Sequence, residues 1–337
     1  HYALLPIQSF PISQTVEAFR LMAQARHVGK VVITIPPADQ PAEAHRIGPE
    51  GSYLVTGALG GLGLQLCRWL ADQGARSLLL VARSAANPAA EAQSLIRELE
   101  ARGVRCALVP CDLGAQGAEA EPQQAALVTA LAGLEPGKPL RGVFHAAGVL
   151  DDGLIEALTP ERLAGVLAPK LGGWQLLEAA IEQAPARALE RPFVVQFSSM
   201  AALLGSPGQA NYCAANGALD ALAQAAAVSE ATGISARLGP QLAIQWGPWE
   251  GAGMAGSLGE REHQRFAALG VHLLSPEGAF EALGQLLRRG SAGAVGVLDL
   301  DWQRLAPQAS PRQAALLEPL VARDQARSAE AGGSGSG

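Results

Sequence analysis

The sequence is short of lysine, of aromatic residues and of metal-binding patterns. Lys30, Lys138 and Lys170 are its only lysines in 337 residues. Any chemistry that needs an ammonium group must therefore use one of three positions. Aromatic residues make up 4% of the chain, so aliphatic side chains must fill most of the core. The four cysteines, Cys67, Cys106, Cys111 and Cys213, lack metal-ligand spacing, and no histidine accompanies the Cys106–Cys111 pair. That excludes a zinc ribbon or finger and leaves four reduced packing thiols in a cytoplasmic setting. No apolar run reaches membrane-spanning length and no signal peptide is visible, so no membrane partner is expected. A net charge of −6 argues against a nucleic-acid partner, which would call for a basic patch.

What is present describes a globular chain with a sizeable core: 49% hydrophobic and 17% charged residues. Four regions separate. Residues 1–36 hold an amphipathic helix, "ISQTVEAFRLMAQA", and a strand, "KVVITI". They are too few for a core of their own and read as the end of a preceding domain. Val16, Phe19, Leu21, Met22 and Ala23 suit packing against a neighbour. Residues 37–50, rich in proline, glycine and charge, read as a linker. Residues 51–301 alternate apolar runs ("SYLVTG", "SLLLVAR", "RCALVPCD", "GVFHAAG", "FVVQFSS", "LAIQWG") with helical stretches. That alternation predicts an α/β fold: a Rossmann-type, doubly wound parallel sheet with helices on both faces. Residues 302–337 read as a charged, Pro/Ala-rich helix and an outgoing linker. The opening His1 and the tail "AGGSGSG" suggest a piece of a longer protein.

The segment "VTGALGGLGLQLCRWLADQGA" places a glycine cluster between a strand and a helix. Gly57, Gly60, Gly61 and Gly63 allow a tight turn and a close approach of backbone N–H groups to a pyrophosphate at the helix N-terminus. At the next strand end stands Arg83, where an NAD site would place a carboxylate. An arginine there can pair with a 2′-phosphate and favours NADPH. It can equally be a solvated strand end. Asp112 can accept from an adenine amino group or cap a turn. The small residues of "HAAG", His145 to Gly148, leave room for a ribose, with His145 itself structural.

The run "QANYCAANGALDAL" carries Tyr212 and Asn216 at i and i+4, on one helix face. Alone, the pair reads as a core tyrosine with a satisfied hydroxyl. Ser199 stands thirteen residues earlier, at a strand end. Ligands bind outside the carboxyl ends of parallel strands, so Ser199 and Tyr212 can converge on one carbonyl. A phenol has a free pKa of roughly 10 and needs a nearby positive charge to act near neutrality. Lys170 can supply it.

These residues resemble the short-chain dehydrogenase/reductase superfamily and, within it, the ketoreductase domains of modular type I polyketide synthases. The resemblance rests on "TGALGGLG", "ARS", "CDL", "FHAAGVLDD", "PKLGGWQL", "QFSSMAALLGSPGQANYCAAN" and "WGPWEGAGM", spread over about 250 residues. Common superfamily members carry lysine four residues after the tyrosine, where this chain has Asn216. In the ketoreductases the two residue types trade sequence positions and fill the same space. The resemblance thus implies a tetrad of Lys170, Ser199, Tyr212 and Asn216. Tyr212 is the proton donor, Ser199 orients the carbonyl, and Lys170 holds the cofactor ribose and lowers the tyrosine pKa. Asn216 supports a proton relay. Implied cofactor contacts are Thr56, Gly57, Gly60, Gly61, Leu62, Gly63, Arg83, Ser84, Asp112, Leu113, Ala146, Ala147, Gly148 and Pro248, with NADPH as the cofactor.

The motif Leu150, Asp151, Asp152 resembles the B-type fingerprint, which implies a D-configured β-hydroxyl; its alternative is a solvated loop or cap. Leu204 stands where an A-type domain has tryptophan, and Ala214 where an epimerising one has proline. Gln209 and the segment Trp246 to Met254 resemble the acyl entrance, although Trp246 and Trp249 can equally be packing residues. The implied substrate is a β-ketoacyl thioester on the phosphopantetheine arm of an acyl carrier protein. Residues 1–36 resemble the end of an enoylreductase domain, a neighbouring synthase domain. A non-catalytic scaffold and a fatty-acid-type 3-oxoacyl reductase are the alternatives. The family's truncated structural subdomain has no counterpart in this sequence.

Overall fold

The computed structural model describes residues 7–11, 14–26, 28–34, 45–231, 238–251, 260–310, 313–314, 317–318 and 320–322. Met254 and the "AGGSGSG" tail lie outside these residues. The chain divides into two units, residues 1–43 and 44–337.

In the first unit, strands β1 (Ile7–Pro11) and β2 (Lys30–Thr34) pair in parallel, joined through helix α1 (Thr15–Ala23). The helix and β2 match the sequence pattern. β1 does not, because "IQSFP" lacks alternation and ends on proline. Val16, Phe19 and Met22 form an exposed stripe at i, i+3 and i+6, while Ala18 is the buried residue of this helix.

The second unit is built on seven parallel strands. In chain order they are β3 (Ser52–Thr56), β4 (Ser77–Ala82), β5 (Arg105–Pro110), β6 (Leu140–His145), β7 (Leu189–Ser199), β8 (Gln241–Trp246) and β10 (Gly293–Val297). Across the sheet they run β10-β8-β7-β6-β3-β4-β5. The chain winds outward from β3 to β5, crosses back to β6 beside β3, and winds outward again. The order reverses between β3 and β6, the switch point at which doubly wound sheets open a crevice. Six of the strands are those the apolar runs predict. The seventh, β10, is "GAVGV", whose two glycines erase the pattern.

Both sheet faces are covered, so its strands read as continuous apolar runs. Strand periodicity sends alternate residues to opposite faces. Tyr53, Val55, Leu78, Leu80, Phe144, Phe193, Val195 and Phe197 pack on one face. They meet helices α2 (Gly61–Asp72), α3 (Ala90–Ala101) and α10 (Pro276–Arg288). Leu54, Leu79, Val81, Val143 and Val194 pack on the other. They meet α4 (Ala120–Ala132), α6 (Gly173–Gln183) and α8 (Ala210–Ala231). Three further helices, α5 (Pro160–Leu167), α7 (Met200–Leu204) and α9 (Glu260–Ala268), shape the rim above the strand ends. A short antiparallel pair, β9 (Val271–His272) with β11 (Asp299–Leu300), precedes α11 (Trp302–Leu305).

The described end of the presumed linker belongs to this unit. His45 stacks on Phe193 at 4.8 Å, and the Gly48 N–H donates to the Tyr53 hydroxyl at 2.8 Å. The four thiols are unpaired by disulfides, and burial pushes Cys106 up to about 12 and Cys111 to about 11, which suits inert packing residues. No helix among the described residues is long and apolar enough to cross a membrane.

Phe144 sits at the centre of the sheet, fully buried and edge-on to Phe193 at 5.7 Å. Phe144→Ala is expected to cost about 3–5 kcal/mol. The urea midpoint should fall with little change in slope, and an unmoved midpoint would contradict this account of the core.

Candidate active site

The turn after β3 is shaped by its glycines. Gly57 has φ +64°, and a Cβ there would meet the backbone of Ala147 at 3.1 Å. At Gly63 a Cβ would overlap the Gly57 carbonyl, so α2 packs against the turn only because that atom is missing. α2 starts at Gly60 without a side-chain cap and without an acidic residue in its first turn. Its leading N–H groups and positive dipole end face a cavity of about 860 Å³. Gly57, Gly60, Gly61, Leu62 and Gly63 line that cavity, as do Arg83, Ser84, Asp112 and Leu113 from the ends of β4 and β5. Ala146, Ala147 and Gly148, after β6, close it. An elongated anion fits such a cradle.

Two of the expected contacts differ in place. Thr56 is fully buried and does not line the cavity. Its Oγ1 accepts the N–H groups of Ala146 and Ala147, each at 3.1 Å, and so holds the "HAAG" turn from behind. Pro248 lines a second cavity instead. Asp112 does cap a turn, accepting the Gly114 N–H at 2.9 Å, while also lining the first cavity. Arg83 is exposed at that cavity and makes no ion pair among the described residues.

The second cavity, of about 510 Å³, contains Lys170, Ser199, Tyr212, Leu150, Gln209, Trp246 and Pro248 in its lining. Leu62 and Ala146 line both cavities, which therefore adjoin. Ser199 ends β7 and caps α7, its Oγ accepting the Ala201 N–H at 3.2 Å. Tyr212 lies in the first turn of α8 and is nearly buried. Burial raises its phenol above the usual value, and the side chains of Asn216 and Ser199 pull it back. Asn216 is fully buried one turn on; its Nδ2 donates to the Tyr212 carbonyl at 2.8 Å, and its Oδ1 has no protein partner. Trp246 and Trp249 are packing residues, edge-on to each other at 5.1 Å and continuous with Phe197 and Phe280, yet both also reach this cavity.

Lys170 reaches the site through an irregular helix. Between α5 and α6 the chain makes a π turn, Ala168–Gly172. Such turns re-aim side chains within a helix and are frequent at functional sites. The Lys170 ammonium donates to the Phe197 carbonyl at 2.8 Å and lies 5.8 Å from the centre of the Tyr212 ring. Its stem passes so close to Gly148 that a Cβ there would meet Cε at 3.0 Å. Burial pushes its pKa down to about 8, with Asp220 acting in the opposite sense. A group at that value remains largely charged near neutrality and can exchange its proton there.

His145 joins the two cavities' walls. Its Nε2 lies 2.9 Å from the Lys170 carbonyl, and its Nδ1 2.9 Å from Thr56 Oγ1. A carbonyl can only accept, so Nε2 carries the proton. Nδ1 of the neutral ring then accepts from the threonine hydroxyl, whose lone pairs take the two backbone N–H groups. Burial pushes this imidazole down to about 4, consistent with a neutral ring.

The Leu150–Asp152 loop is held by Gln209 and by two residues, Arg162 and Asn211, that the sequence reading did not single out. Arg162 grips the Asp151 carboxylate through two nitrogens, at 2.9 and 2.6 Å, and donates to the Asp152 carbonyl at 2.8 Å. Asn211 Nδ2 donates to the Asp151 carbonyl at 2.8 Å, and Gln209 Nε2 to the Asp152 carboxylate at 3.0 Å. Asp151 is therefore engaged in structure, and Asp152 faces the start of α8. Nothing in the sequence marked Arg162; Asn211 had only its place beside Tyr212 to recommend it.

The KR domain family model matches residues 51–251. Polyketide synthase GfsB of Streptomyces halstedii is 39% identical over 99% of this chain, which spans 6% of that protein. A phenolphthiocerol synthesis polyketide synthase, Pks15/1, of Mycobacterium marinum is 38% identical over 94% of this chain and is matched along 14% of its own length. The chain thus spans a small part of the curated relatives it matches. Among solved structures, an A1-type ketoreductase superposes with a TM-score of 0.66 at 34% identity, covering 81% of this chain and 52% of the other. The first ketoreductase of the tylosin synthase gives 0.63 at 36%, covering 79% and 52%.

The His145 network makes a pH prediction. Its folded-state value is depressed, so the stability it contributes is present above about pH 6.5 and is lost as pH falls towards 4. The loss from this residue is about 3 kcal/mol. Denaturation measured across that range should show a steeper fall in wild type than in His145→Gln. Equal slopes would contradict a buried neutral imidazole.

Proposed function

Because this chain belongs to the KR domain family of polyketide synthases, we propose that it reduces a β-ketoacyl thioester to a D-β-hydroxyacyl thioester with NADPH. The substrate is carried by an acyl carrier protein of the synthase. One observation carries the reading: Lys170, Ser199 and Tyr212 line a cavity that adjoins the glycine-turn cavity through Leu62 and Ala146. A dinucleotide laid along the glycine-turn cavity can thus present its nicotinamide to a ketone held beside Ser199 and Tyr212. The cavity size, the uncapped α2 N-terminus and the missing Cβ atoms suit a pyrophosphate-bearing cofactor. Arg83, at the end of β4, suits the 2′-phosphate of NADPH.

The nicotinamide, when bound, supplies the hydride. The chain's own groups handle the oxygen. The Ser199 hydroxyl and the Tyr212 phenol donate hydrogen bonds to the ketone oxygen and fix the exposed face of the carbonyl. As negative charge grows on that oxygen, the phenol gives up its proton to it. The Lys170 ammonium beside the ring stabilises the resulting phenolate. Asn216 Oδ1, buried and unpartnered, can accept from a water that returns the proton. Solved relatives include A1-type and C2-type domains, so overall likeness does not select the hydroxyl's configuration. The local residues Leu150, Asp151, Asp152 and Leu204 support the D product. Residues 1–36 fit the end of a preceding enoylreductase.

Incubation with NADPH and a β-ketoacyl thioester surrogate should consume NADPH and give the D alcohol on chiral chromatography. Tyr212→Phe should lower turnover by about 10²–10⁴-fold. Unchanged turnover would sink the tyrosine mechanism, and an inert wild type would favour a scaffold. Arg83→Ala should weaken NADPH binding by about tenfold or more, in fluorescence titration, and leave NADH binding nearly unchanged. Equal loss for both cofactors would remove the phosphate contact.

A further inference from the structure

The geometry points to the C-terminal residues Leu305, Ala309, Gln313 and Leu317 as the outer wall of the acyl cleft, which sets the length of alkyl chain the site accepts. The inference rests on the ketoreductase reading and concerns residues beyond the family match, which ends at 251. All four line the same cavity as Ser199 and Tyr212. A solvated tether between domains has no reason to bury a leucine, yet Leu317 is 4% exposed.

The segment is anchored at both ends of this wall. At its start, β11 pairs with β9, and the Asp301 N–H donates to the Gly270 carbonyl at 2.7 Å. The Asp301 carboxylate caps α11, accepting from Gln303 and Arg304. Further on, Ser310 and Gln313 form a reciprocal capping box: the Ser310 N–H donates to Gln313 Oε1 at 2.7 Å, and the Gln313 N–H donates to Ser310 Oγ at 3.3 Å. That holds the Gln313 amide so that its Nε2 donates to the Leu204 carbonyl at the end of α7. Gln308 Nε2 likewise donates to the Ala268 carbonyl, at the end of α9, at 3.0 Å. The wall's amides are thus spent on backbone carbonyls at the rim. What remains for the cavity is the alkyl surface of Leu305, Ala309 and Leu317. An alkyl lining discriminates by length and bulk, at about fourfold in binding per methylene placed or excluded.

The test is a length series of β-ketoacyl thioesters reduced with NADPH. Leu317→Ala should shift the limiting length outward, raising the long-to-short ratio of kcat/KM by about fourfold per methylene accommodated. Leu317→Phe should shift it inward, and Leu320→Ala, at an exposed position, should leave the ratio unchanged. A wild-type length profile in both Leu317 variants would overturn the wall. If wild type reduces none of the series, the ketoreductase reading fails instead. The wall is then judged by binding of saturated acyl thioesters, read through tryptophan fluorescence, since Trp246 and Trp249 line the cavity. The same opposite shifts are expected there, and their absence overturns it.

Discussion

A buried imidazole ties together the segments that wall the two cavities. His145 receives the Thr56 hydroxyl on one side and donates to the Lys170 carbonyl on the other, both at 2.9 Å. Thr56 in turn takes the N–H groups of Ala146 and Ala147. The end of β3, the end of β6 and the π turn bearing Lys170 are thereby locked to one another. A displaced imidazole would take a hydrogen-bond partner from two groups in a dry interior, the Thr56 hydroxyl and the Lys170 carbonyl. The network is also self-consistent in its protons, so a single neutral tautomer satisfies every donor and acceptor named.

That lock positions a lysine whose burial is otherwise unfavourable. Removing an ammonium from water lowers its pKa, as seen in the fall to about 8. The Phe197 carbonyl supplies one acceptor, and Asp220 supplies a distant negative charge. The π turn and the absence of a side chain at Gly148 make the space. Small residues around the site therefore answer two different needs: Gly57 and Gly63 let the turn after β3 pack against Ala147 and the start of α2, and Gly148 admits a long side chain from the other wall.

Much of this was legible in advance. The six apolar runs became six adjacent parallel strands, because a sheet covered on both faces needs continuous apolar sequence. The glycine turn, Ser199 and Tyr212 could be placed since each stands at a strand end or just after one. Other parts left no mark. β10 is too rich in glycine to show a pattern. Arg162 contacts the Asp151–Asp152 loop from a different helix, and charge alone on an exposed helix carries no address. The tail looked like a linker because its composition is polar and proline-rich. Composition does not say that Gln313 will be oriented by Ser310 or that Leu317 will be buried.

The sequence by itself determined the fold class, the glycine turn after β3 and the side-chain types available at the cleft. These follow from local rules: periodicity, missing Cβ atoms and the chemistry of side chains. Only the tertiary structure decided how Thr56 acts, as a strut behind the cavity wall, and which nitrogen of His145 carries a proton. It also decided that the two cavities meet at Leu62 and Ala146, and that Leu305, Ala309, Gln313 and Leu317 line the cleft. Each depends on groups brought together from distant segments, where burial forces every polar atom to find a partner and every small residue to leave room for another.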